Sequence, residues 1–196
     1  MNYYIGDLHL YHTKILEIDG RKESNIEEMH ENIIKDWNSR ITNKDTGYIL
    51  GDVSLGHKKY YDKVEEIINS LNGHKILILG NHDDEKICKR IFEDVHKMLD
   101  IYEEIDGFGK VKVVLSHFPQ LVWNKQHYGS IHIYGHTHRR DFWNGVANTN
   151  ELRNAYCVSV GEIGYIPMTA NELVEKYGYS PCWYNNRNKN RNSEGI

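Results

Sequence analysis

Short apolar runs that stop abruptly at polar residues recur along this chain of 196 residues. Asn2 to Ile5 ends at Gly6, Tyr48-Ile49-Leu50 at Gly51, Lys75 to Leu79 at Gly80, Val111 to Leu115 at Ser116, and Ile131 to Tyr134 at Gly135. Such runs predict strands buried on both faces, as in a sheet covered by helices. Between them the period changes. Ser24 with Glu27 reads as a capping box, after which Ile26, Met29, Ile33, Ile34 and Trp37 recur at helical spacing. Tyr60 to Leu71 puts Val64, Ile67, Ile68 and Leu71 on one face, and Glu85 to about Phe92 is a weaker helix. Further on, Asp141 to Asn154 reads as a polar loop, Ala155 to Val160 as a strand, and Thr169 to Tyr177, after Pro167, as a last helix. Strands alternating with helices predict an α/β layered fold, whose ligand sites collect outside the carboxyl ends of the strands.

No Pro/Gly/Ser-rich linker or internal repeat divides the chain, so residues 1–184 are expected to form one domain. Residues 185–196 are polar and low in complexity, and are expected to stay disordered. A 39% hydrophobic and 27% charged composition is ordinary for a soluble protein, and no apolar run is long enough to span a membrane. Met1 to Ile5 runs straight into the first polar cluster without a signal segment, so a cytoplasmic location is expected. Cys88, Cys157 and Cys182 have no CxxC spacing, which argues against a disulfide framework and a thiolate metal site. A net charge of −4 does not favour a long nucleic acid as partner. The unusual feature is 12 histidines.

The best-placed histidines fall just after the apolar runs. The clusters are Asp7-Leu8-His9, Gly51-Asp52, Gly80-Asn81-His82-Asp83, Ser116-His117 and Gly135-His136-Thr137-His138. In an extended segment residues i and i+2 share a side, so Asp7 and His9 are expected to grip one ion. His136 and His138 share that spacing and could chelate one ion or straddle two; the remaining ligands favour straddling. Asp52 can bridge two cations because each carboxylate oxygen binds one, and Asn81 and His117 would complete a second site. All these donors are oxygen or nitrogen, which suits manganese, iron, zinc, cobalt or nickel.

In this order the clusters match DxH, GD, GNH(D/E), a lone H and GHxH, and the chain resembles the calcineurin-like metallophosphoesterase family. The match runs from Asp7 to His138, about two-thirds of the chain. Leu10-Tyr11-His12, Trp37-Asn38, Val158-Ser159-Val160 and Gly164-Tyr165-Ile166-Pro167 resemble its small single-domain bacterial and phage members. The resemblance implies a four-layer α/β/β/α sandwich of two mixed sheets with helices outside. It implies two divalent metals, manganese first: Asp7, His9 and His138 on one, Asp52 bridging, and Asn81, His117 and His136 on the other. A water activated between them would attack phosphorus, Asn81 would help hold the phosphoryl oxygens, and His82 would be the catalytic acid. Asp83 is expected to orient His82.

His12 and Arg21 are further candidates for contact with substrate, Arg21 as a bidentate phosphate ligand. The expected reaction is hydrolysis of a small or nucleotide-like phosphodiester, ahead of a phosphomonoester, a nuclease reaction or a non-catalytic scaffold. His30, His57, His74, His96, His127 and His132 read as ordinary surface or core residues, and Trp37 and Trp123 as packing anchors. Arg187, Lys189 and Arg191 in the tail read as solvated.

Overall fold

The computed structural model describes residues 1–55, 58–140 and 153–181. Most of the expected loop 141–154, the tail 185–196, His57 and Cys182 lie outside the described residues. The chain is an α/β protein, with two four-stranded sheets among the described residues. The first sheet is β1 (Asn2–Ile5), β2 (Thr46–Ile49), β3 (His74–Ile78) and β4 (Asp94–His96), in that order. The pairings among these four strands are parallel, and the antiparallel element of the expected mixed sheet is confined to a bridge between Tyr4 of β1 and Met168. β1, β2 and β3 are each followed by a helical crossover that returns the chain in the same direction. These crossovers carry α1 (Ile15–Ile18), α2 (Ile26–Arg40), α3 (Tyr61–Ser70) and α4 (Glu85–Ile91).

The second sheet is mixed. A hairpin joins β5 (Met98–Ile105) to β6 (Gly109–Ser116), and β7 (Ile131–Tyr134) and β8 (Ala155–Cys157) then add in parallel. The predicted last strand is shorter than expected, because the chain turns into α5 (Val160–Ile163) before α6 (Ala170–Tyr177). The α2 cap also differs by one residue. Asn25 is the N-cap, accepting from the Glu28 N–H at 2.8 Å, while Glu28 accepts from the Ser24 N–H at 2.7 Å. The α6 cap is a reciprocal box of Thr169 and Glu172.

Strand alternation divides the core. Tyr3, Ile5, Ile49 and Leu77 face α2 and α3, packing with Met29, Ile33, Trp37, Val64 and Ile68. Tyr4, Tyr48, Leu50 and Ile78 face the other way and meet Val111, Val113, Leu115, Ile131, Ile133 and Tyr156 of the second sheet. Ala170 and Leu173 of α6 join this inter-sheet core. On the outer face of the second sheet, Val114, Tyr134, Ala155 and Cys157 pack on Trp123 from the segment between β6 and β7. Among the described residues, a loop anchor therefore covers that face where a helix was expected. Cys88 and Cys157 are buried free thiols, and no described helix is long and apolar enough to cross a membrane.

His132 belongs to this outer layer and is fully buried. Its Nδ1 lies 3.0 Å from the Val114 carbonyl, to which it donates, and its Nε2 accepts from the Gln120 N–H at 3.2 Å. Both nitrogens are satisfied only in the neutral ring, and burial lowers the pKa to about 4. Between pH 4 and the ordinary value of about 6.5 the unfolded chain binds the extra proton, so stability is lost as pH falls through that window. The loss expected from this group is roughly 3 kcal/mol, at about 1.4 kcal/mol per pH unit. Urea unfolding midpoints at pH 7 and pH 4.5 should diverge less for His132→Gln than for the unmodified chain.

Candidate metal centre

The carboxyl ends of β1, β2, β3, β6 and β7 deliver Asp7, Asp52, Asn81, His117 and His136 to one place where the two sheets meet. His117 Nδ1 lies 2.7 Å from the Leu50 carbonyl, and the His136 N–H reaches the Asp7 carboxylate at 2.9 Å, so each sheet touches the other through a site residue. The Gly6 N–H donates to Val158 O at 2.7 Å and the Val160 N–H returns to Gly6 O at 3.0 Å, closing the same edge.

The local backbone is not extended, as the i, i+2 argument had it. Asp7 (φ 59°), His9 (φ 52°), Asp52 (φ 51°), His136 (φ 67°) and His138 (φ 59°) are all left-handed. Such residues cost on the order of 1–3 kcal/mol each and persist where the surroundings over-determine them. Here the Asp7 and His9 N–H groups are held by Gly51 O and Asp52 O, each at 3.0 Å. Alternate side chains thus converge because the chain is wound at the strand ends. Gly80 shows how tight the winding is: a Cβ there would fall on the Asp52 carboxylate and main chain.

The ligand atoms fall into two groups, Asp7, His9 and His138, and Asp52, His117 and His136. His136 and His138 therefore belong to different groups. With Nδ1 donating to Leu50 O, neutral His117 turns a lone pair outward from Nε2. Facing it are Asn81 Oδ1 at 3.1 Å, His136 Nδ1 at 3.2 Å and Asp52 Oδ2 at 3.5 Å. In the first group His138 Nε2 is 4.0 Å from Asp7 Oδ1, and between the groups His9 Nε2 is 3.9 Å from Asp52 Oδ2. Two ligands about 2.1 Å from one ion lie roughly 3.0 Å apart across a right angle and about 4.2 Å apart across a straight line. Every separation above falls in that interval, and both nitrogens of buried His9 lack a hydrogen-bond partner. The donor set fits a pair of divalent cations.

Burial penalises charge here. It raises the Asp7 carboxyl to about 6 against the pull of His117, and lowers His9 to about 2 with help from His138. Burial and the neighbouring His117 also lower His136. Asp19 works the other way on His138, holding its pKa up.

Two expectations need correction. Asp83 does not meet the His82 ring. Its carboxylate accepts from the N–H groups of Gly80 at 2.8 Å, Asp52 at 2.9 Å and Val53 at 3.0 Å, pinning the loop that carries Asp52. Arg21 does not face the opening. Its side chain is 3% exposed and donates to Asp19 Oδ2 at 3.1 Å, Leu8 O at 2.8 Å and Asp7 O at 2.7 Å. A guanidinium flanked by unsatisfied carbonyls and a buried carboxylate pairs with them before it can reach a ligand. His82 does stand at the opening. Its N–H donates to Asp52 Oδ1 at 3.0 Å, and its ring, 42% exposed, puts Nε2 3.9 Å from Asp52 Oδ2. His12 lies against His9, ring centroids 5.3 Å apart, with burial and nearby His82 lowering its pKa.

Asp19 and Phe118 went unnoticed in the sequence. Asp19 Oδ1 is 3.1 Å from His138 Nδ1, and half-exposed Phe118 sets its ring 4.6 Å from His136 and 5.0 Å from His117. A carboxylate behind a metal-binding histidine is a common arrangement, but sequence does not say which carboxylate.

No family model matches the chain. The uncharacterized protein MJ1445 of Methanocaldococcus jannaschii is 32% identical over 173 residues, covering 88% of this chain and 89% of that protein. The chain belongs to the family of MJ1445. The gene 66 protein of Mycobacterium phage L5 is 32% identical over 162 residues, 69% of this chain and 76% of its own length. The crystal structure of AQ665, a protein of unknown function from Aquifex aeolicus, has a TM-score of 0.68 over 90% of this chain and 98% of that one. At 24% identity that likeness shows a shared fold.

Removing the Asp83 carboxylate frees three N–H groups beside Asp52. Asp83→Ala is expected to cost about 2–4 kcal/mol in denaturant unfolding and to lower the metal content of the purified protein. Unchanged metal content with reduced turnover would return Asp83 to His82.

Proposed function

We propose that this protein is a two-metal phosphoesterase of the calcineurin-like metallophosphoesterase family, with the layered metallo-dependent phosphatase fold, acting on a small or nucleotide-like phosphodiester. The observation that carries this reading is the pair of facing ligand groups, joined by Asp52 between His9 at 3.9 Å and His117 at 3.5 Å. Two divalent cations, manganese first, would supply there a lowered water pKa and compensation for phosphoryl charge.

The chain's own residues divide the remaining work. Asn81 turns Oδ1 toward His117, which leaves its amide N–H donors for a phosphoryl oxygen. His82 overhangs the shared carboxylate from the solvent side and is placed to give a proton to the departing oxygen. His12, beside His9, lines the same opening. Phe118 adds an apolar wall on the second ligand group, suited to an aryl or nucleoside ester. With Arg21 turned inward, the second negative charge of a monoester finds no guanidinium from that loop. That supports a diester ahead of a monoester.

The test is hydrolysis of a bis-aryl phosphodiester, the matching monoester and a short oligonucleotide with manganese. Higher kcat/KM on the small diester is expected, and a monoester or oligonucleotide preference would reverse the substrate assignment. Asp52→Ala is expected to lose metal and activity together, read by elemental analysis and turnover. His82→Ala should keep its metals and lose about 100-fold or more in kcat on an ester with a poor leaving group. Unchanged kcat there would remove His82 from the reaction.

A further inference from the structure

We propose that Asp19 and Arg21 form a positioning pair that sets how tightly Asp7, His9 and His138 hold their cation. The inference rests on the two-metal reading. These ligands come from chain segments far apart in sequence, and the pair joins them. Arg21 Nη1 and Nη2 donate to two successive carbonyls, Leu8 O at 2.8 Å and Asp7 O at 2.7 Å, which lie between the left-handed residues Asp7 and His9. From the same planar group, Nε donates to Asp19 Oδ2 at 3.1 Å. The other oxygen of Asp19 lies 3.1 Å from His138 Nδ1, a buried nitrogen that has no geometrically formed hydrogen bond and has this carboxylate beside it.

The chemistry of this chain of contacts is directional. A carboxylate at Nδ1 selects the tautomer whose lone pair is on Nε2, the atom that faces Asp7 Oδ1 at 4.0 Å. Arg21 in turn keeps Asp19 charged in a place where both side chains are almost completely buried, 3% and 2% exposed. Lysine, whose three donors radiate from one nitrogen, could not hold both carbonyls and the carboxylate in one plane. Gly161 completes the seat: a Cβ there would lie 2.6 Å from both Asp19 Oδ1 and His138 O.

The test is a cobalt(II) titration of the full-length protein and Asp19→Asn, followed by visible absorption and elemental analysis. The unmodified protein should take up two equivalents. In the variant, one equivalent is expected to weaken about 10- to 100-fold with an altered d–d band, while the other keeps its affinity. A variant with both equivalents and the spectrum unchanged overturns the inference and leaves the two-metal reading standing; an unmodified protein that binds no cobalt overturns both. Should Asp19→Asn fail to fold, imidazole ¹⁵N NMR of the zinc-loaded unmodified protein decides the point. A protonated Nδ1 on His138 with zinc at Nε2 is expected, and zinc at Nδ1 overturns the inference.

Discussion

Lone pairs that face one another in a buried place repel unless positive charge stands among them, and here those lone pairs also lie where the two sheets meet. His117 joins the second sheet to the first through the Leu50 carbonyl, and the His136 N–H joins it again through Asp7. His117 faces Asn81 Oδ1 at 3.1 Å and Asp7 faces His138 Nε2 at 4.0 Å. Burial raises the Asp7 pKa and lowers that of His9, so both groups are held against carrying charge. A pair of cations would lift that constraint and let the carboxylates ionise and the imidazoles stay neutral.

Around this centre, charged side chains serve the backbone more than the opening. Asp83 gathers three N–H groups under Asp52, and Arg21 gathers two carbonyls under Asp7 and Leu8. Both act where left-handed residues would otherwise relax. The strain is confined to strand ends and borne by two sheets whose shared core is apolar from Tyr4 to Tyr156. Rigid strands with strained tips hold ligands more accurately than loops could.

What remains exposed is correspondingly small. His82 leans over the shared carboxylate from solvent, and Phe118 supplies an apolar edge beside His117 and His136. Under the proposed function, substrate selection would rest on this short rim, where a single ring could change which ester is accepted.

Much of this was legible in the residue order. Apolar runs ending in Asp, Asn or His marked β1, β2, β3, β6 and β7 and the end of each at which the site lies, because a buried strand and a polar turn have unlike compositions. Helical spacing marked α2 and α3, because a helix with one buried side repeats its apolar residues every three to four positions. The pattern along the chain does not mark β5, since Glu103 interrupts its inward face and accepts from Tyr4 and Asn2 of the other sheet. The sequence alone determined which donor types gather and in what order, since strand ends are set by local pattern. Only the tertiary structure decided that Asp83 and Arg21 clamp backbone, that Asp19 stands behind His138, and that Asp7, His9, Asp52, His136 and His138 are left-handed. Those outcomes depend on which distant N–H or C=O comes within about 3 Å of a charged atom, and no periodicity along the chain carries that distance.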